Sequence, residues 1–242
     1  MDVTDQFKKI FSSNYTLAEK QKEYTKKLKL LTKAQAKVVK AYKNLAEEER
    51  KFLVLEKNTA KLYSDLQDFK NELKNQGVLH FFPEQMEFKK AFSTYHSKIS
   101  EKRLEIAQIF EKLAILEKRL YESNKKLVKM KEAEVSILKK VAKKEKSCSK
   151  LSKKCIDTQN LSEEKVEKLK DNLKKCQLDL EHNETVLKNK RAEIFNFEKE
   201  ISKIEDNLAV LMKALSFKYA EGERIRPPFF LLFIIFIYLF FS

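Results

Sequence analysis

Tryptophan is absent from the chain, and glycine and proline nearly so, with two Gly and three Pro in 242 residues. Neither occurs before Gly77, nor between Pro83 and Gly222. These residues most disrupt a helix interior, so their absence over such spans predicts very long helices. Two glycines exclude a glycine-rich phosphate cradle, and no G-x-S-x-G elbow is present. His80, His96 and His182 are scattered and match no metal-ligand spacing. Cys148, Cys155 and Cys176 form no C-x-x-C pair. With an odd count and no apolar signal-type run after Met1, the expectation is reduced thiols in a cytoplasmic chain. No catalytic residue, metal site or cofactor is expected, and the chain reads as a non-enzyme.

What remains is charge and aliphatic periodicity. Charged residues make up 36% of the chain, and the formal net charge is +15. Such an excess predicts attraction to polyanions. The Gly/Pro punctuation predicts one helix from Thr4 to Gln76 and a second from Glu84. A turn over Asp157–Ser162 separates the second from a third helix that runs to Glu221. Gly77 suits the position just past a helix end, and Ser162 or Asn160 suits an N-cap ahead of Glu163 and Glu164. Short connections make neighbouring helices antiparallel. At about 1.5 Å per residue each helix would span on the order of 90–110 Å. The expected fold is all-α: an elongated antiparallel three-helix coiled coil over residues 1–221, followed by an apolar tail over 222–242.

The third helix gives the clearest repeat. Val166, Leu173, Leu180, Leu187, Ile194, Ile201, Leu208 and Leu215 recur every seven residues. A companion row holds Leu169, Cys176, Phe197, Ile204 and Leu211, interrupted by Asn183 and Lys190. The second helix carries two apolar rows, one through Ile106, Leu113, Leu120 and Leu127, the other of Phe110, Ile115, Val135 and Leu138. Two rows predict contact with more than one partner. In the first helix the apolar stripe reads Leu31, Val38, Tyr42, Leu45, Phe52, Leu62, Leu66, Phe69 and Leu73, and is expected to form its packing seam.

Lysine is concentrated late in the second helix. Residues 125–154 hold twelve lysines and three glutamates. Lys139, Lys140, Lys143, Lys144, Lys146, Lys150, Lys153 and Lys154 would occupy the tip of a helix hairpin. Against the plain reading of a solvated face, their density predicts a site for anionic lipid. Nucleic acid ranks below membrane, because the cluster is nearly all lysine and lacks arginine forks, a zinc-finger spacing or an aromatic platform.

Two terminal stretches also bear on membranes. Val3, Phe7, Ile10, Phe11 and Tyr15 share a helix face, either as an interfacial wedge or as ordinary packing. At the other end, Phe229, Phe230, Leu231, Leu232, Phe233, Ile234, Ile235 and Phe236 begin a wholly apolar run to Phe241. As a helix these thirteen residues reach about 20 Å, short of a ~30 Å hydrocarbon core. The run is either a membrane-inserting segment or an atypical terminus.

Three long antiparallel helices with lysines massed before the second turn resemble a BAR domain, over Met1 to about Glu221. Leu66-Gln67-Asp68-Phe69 and Asn196-Phe197-Glu198-Lys199 are similar to stretches of the Chibby-interacting, ciliary branch of that superfamily. The apolar tail departs from the family pattern. The resemblance implies a homodimer that senses or shapes curved membranes through basic faces and tips. The leading expectation is therefore a dimeric scaffold on anionic phospholipid membranes, cytoplasmic and peripheral. The alternative is a C-terminally anchored coiled-coil tether joining two membranes, or a membrane and a protein partner. A purely structural coiled coil, pairing with other coiled-coil proteins, is the third.

Overall fold

The computed structural model of the chain describes residues 3–77, 83–157 and 162–224. It is all-α, with three helices: α1 (Val3–Asn75), α2 (Pro83–Ile156) and α3 (Glu163–Arg224). Their ends lie where the Gly/Pro punctuation and the polar turn place them. Past α1, the Gln76 N–H donates to the Glu72 carbonyl and the Gly77 N–H to that of Lys74, both at 3.0 Å. Gly77 has φ of +72°, a conformation that costs glycine little. Pro83 opens α2, where its missing N–H breaks no helical bond. The Ser162 carbonyl accepts the first bonds of α3, from the N–H groups of Lys165 and Val166. Glu163 and Glu164 in that first turn complement its dipole. Residues 78–82 and 158–161, which include most of the turn segments, lie outside the described residues, as do residues 225–242.

The helices contribute to two compact units. The first comprises residues 1–36 and 119–205, the second residues 37–118 and 206–242. In each, α2 packs against both α1 and α3 and runs antiparallel to both. In the first unit, Asn14 meets Glu145 and Gln35 meets Asn124 across α1 and α2, while Lys131 meets Glu198 and Cys148 meets Cys176 across α2 and α3. In the second, Arg50 meets Glu111, and Lys102 meets Glu221. The two apolar rows of α2 therefore face two neighbours, except that Ile115 of the second row is exposed, and most of the buried apolar side chains belong to this helix. In the first unit Leu138 and Val141 of α2 close on Ala18 of α1 and Leu187 of α3. In the second, Ile106, Phe110 and Leu113 are enclosed with Ala46, Leu53 and Leu208. Phe110 touches the ring of Tyr42 on α1 and that of Tyr219 on α3.

The heptad row of α3 lies inward. Leu187, Ile194, Ile201 and Leu208 are buried, and the flanking members of the row are half-buried. Asn183 and Lys190 are also half-buried. The Asn183 amide turns back to the Asp179 carbonyl at 2.6 Å, satisfying itself within its own helix.

Helix α1 differs from expectation. Of its apolar stripe, Leu31, Val38, Leu45, Phe52, Leu62, Leu66 and Phe69 are exposed; only Tyr42 and Leu73 are half-buried. The inward row is instead Ala18, Thr25, Thr32, Ala46 and Leu53, with Gln21, Leu28, Gln35 and Tyr42 beside it. Both rows have heptad spacing, and hydropathy alone favours the wrong one. The neighbour decides the matter: α2 already supplies bulky side chains and presents Asn124, Glu134 and Glu145. Small and hydrogen-bonding residues complement that surface. Thr25 and Thr32 donate to the carbonyls of Gln21 and Leu28, each at 2.7 Å, so neither hydroxyl is stranded.

Candidate anion-binding surface

The lysine-rich end of α2 belongs to the first unit, where α1 and α3 flank it. The eight lysines divide by environment. Lys139 pairs with Glu19 of α1 at 3.0 Å, and Lys144 with Asp179 of α3 at 2.6 Å. Both acids are held below their ordinary range by these contacts, chiefly the hydrogen bonds. Lys146 lies over the ring of Phe11, 5.5 Å from its centroid. Lys140, Lys143, Lys150, Lys153 and Lys154 are exposed and have no acidic partner among the described residues. They share the outward arc of the helix, opposite buried Leu138, Val141, Glu145 and Cys148.

Sequence reasoning missed the contribution of α1. Lys22, Lys26 and Lys29 line a shallow cleft of about 270 Å³ with Glu132, Val135 and Lys139 of α2. Lys29 is bridged to Glu132. Local spacing carries no signal for it: only the packing that joins Asn14 to Glu145 brings Lys22 near the level of Lys139. All these cations are lysines, point charges on flexible stems suited to many oxyanions rather than to one planar ligand.

The expectation of three reduced thiols is corrected. Cys148 and Cys176 form a disulfide between α2 and α3, and Cys155 is free. The two residues are 28 positions apart, on different helices, and only the antiparallel packing brings them together. This bond fastens the lysine-bearing stretch of α2 to its neighbour. Beneath it, Glu145 is enclosed, with the Asn14 amide donating to its Oε1 at 2.6 Å. Burial raises its pKa above the ordinary carboxylate value; the Asn14 bond opposes that shift, and the charge of Glu184 adds to it.

The terminal membrane candidates are placed only in part. Of the N-terminal apolar set, Phe11 is half-buried, whereas Ile10 and Tyr15 are exposed. Phe229, Phe230, Leu231, Leu232, Phe233, Ile234, Ile235 and Phe236 lie outside the described residues. Among the described residues no helix is long and apolar enough to cross a membrane. No three His, Cys, Asp or Glu side chains among them gather as a metal site. Comparisons with protein-family models, curated proteins and solved structures find no match to this chain.

Proposed function

We propose that the chain is a BAR-like coiled-coil scaffold that acts as a dimer and binds anionic membrane surfaces through the C-terminal part of α2. The supporting observation is the division of the lysines. Lys140, Lys143, Lys150, Lys153 and Lys154 stand outward on one helix face without acid partners among the described residues. A lysine held near an anionic bilayer contributes on the order of 1 kcal/mol, and the attraction fades beyond roughly 8 Å at physiological salt. Five together give salt-sensitive binding that tolerates many headgroups. The helix itself sets their spacing, and the disulfide ties this stretch of α2 to α3.

Co-sedimentation with phosphatidylserine-containing vesicles tests the reading. Reversing Lys140, Lys143, Lys150, Lys153 and Lys154 to Glu abolishes binding, whereas reversing the paired Lys139 and Lys144 weakens it less. Equal binding by the wild type and the fivefold variant at low salt rejects the lysine face. The apolar run Phe229–Phe241 favours a second reading, a C-terminally anchored tether. Removal of residues 225–242 separates the two: the scaffold still sediments with acidic vesicles, and the tether does not.

A further inference from the structure

Among the described residues, no element covers the exposed stripe of α1 within the second unit. Val38, Leu45, Phe52, Leu55, Leu62, Leu66 and Phe69 expose between 38% (Val38) and 63% (Leu62) of their surface. Together with Ala41, Glu48 and Thr59 they form an unbroken three-four repeat beside the inward row. Hydrophobic heptad rows in water call for a facing helix.

We infer that this stripe is a self-complementary seam that pairs antiparallel with the same stripe of a second copy of the chain. It rests on the dimeric part of the reading above and not on the lipid part. The argument lies in how the stripe meets itself when turned end for end about the step from Phe52 to Leu55. Val38 then faces Phe69, Ala41 faces Leu66, and Leu45 faces Leu62. Smaller residues oppose larger ones in the first two layers. The two polar interruptions, Glu48 and Thr59, fall opposite each other, so neither is set against an apolar side chain. The exposed flank follows the same rule. It runs Lys37, Asn44, Lys51, Asn58, Asp65, Glu72, from basic to acidic. End-for-end pairing sets Lys37 by Glu72 and Asn44 by Asp65, twice over by symmetry. A parallel, in-register pairing instead sets Glu48 against Glu48 in the seam, two like charges in an apolar layer.

The area is of the right order. Half-exposed Leu and Phe side chains each offer on the order of 100 Å². The stripe therefore approaches the roughly 800 Å² per partner of a stable interface. Lys51 bonds Glu48 at 2.7 Å within α1, which screens the one charge in the seam.

Sedimentation of the full chain over a concentration series gives the test. The wild type is a dimer. Leu45→Glu, which sets a carboxylate against Leu62 of the second copy, weakens it at least about 100-fold while helicity and melting of the diluted chain stay unchanged. On the flank, Lys37→Glu and Glu72→Lys each weaken the dimer by about 5-fold, and combining them restores it. A dimer indifferent to Leu45→Glu overturns the seam and leaves the dimeric reading standing on another face. A wild type that stays monomeric at every concentration overturns both. Failure of the paired flank changes to restore association overturns the antiparallel register.

Discussion

The two units use the same three helices to different ends. The first buries polar groups: Thr25, Thr32, Gln35, Asn124, Glu134, Glu145 and Ser149 are all enclosed there. It crosses α1, α2 and α3 at Glu134, whose Oε1 accepts from Gln21 and from Arg191. It also holds the disulfide and turns its lysines outward. The second unit buries few polar groups and relies on rings. Phe110 bridges Tyr42 and Tyr219, and His96 stacks on Tyr63 with Phe92 and Tyr95 around it. Its cross-helix ions include one shielded set, Arg103 with Glu49 and Glu56, beside more open pairs. Lys218 spans Glu105 and Glu221, contacts that raise the amine and lower both carboxyls. Such exposed pairs contribute little individually. The lesson is that a three-helix core can be fixed by buried hydrogen bonds or by aromatic packing. Here the second accompanies a continuous apolar stripe of α1 left open.

That contrast can be broken at its strongest points first. Leu138 in the first unit and Leu113 in the second are fully enclosed. Leu138→Ala and Leu113→Ala should each cost about 2–5 kcal/mol, read as a lowered urea midpoint. Removing the cross-link comes next. Replacing Cys148 and Cys176 by Ala frees a loop of 28 residues, a loss of about 3.6 kcal/mol on the chain-entropy account. Local hydrogen exchange should speed up in the first unit and stay unchanged in the second.

The smallest effect sharpens the comparison through pH. Glu145 is 1% exposed, and its raised pKa means that the fold favours its protonated form. Its contribution is fully present below the ordinary value of 4.5 and is lost as pH rises through the folded value. Glu145→Gln should therefore stabilise the chain by about 1 kcal/mol at pH 7. The advantage should disappear below about pH 4, where wild type and variant are both neutral. Thermal melts of the two across that range give the check.

The helix ends and the inward row of α3 were legible because each rests on one strong local signal: Gly77, Pro83, the polar turn, and a single apolar row. The central place of α2 was legible in its double row. The orientation of α1 was not, because two rows of equal period compete, and the choice depends on what α2 presents. The lysine cluster was visible as a run, but its division was not. Glu19 and Asp179 lie more than thirty residues from the lysines they neutralise. Cys148 and Cys176 were read as separate thiols for the same reason: contact across helices leaves no mark in local spacing.

The polar rungs between α1 and α2 have one more consequence. Heptad helices suffer from translational ambiguity, since a slide of seven residues restores nearly the same pattern. Asn14 with Glu145, Gln21 with Glu134, and Gln35 with Asn124 are matched, but the remaining inner position on that edge of α1 is Leu28. A one-heptad slide in one direction would bring Leu28 to buried Asn124 and half-buried Asn14 to the level of Leu138, setting amides against hydrocarbon. Against a slide in that direction, the single leucine works like the notch on a key.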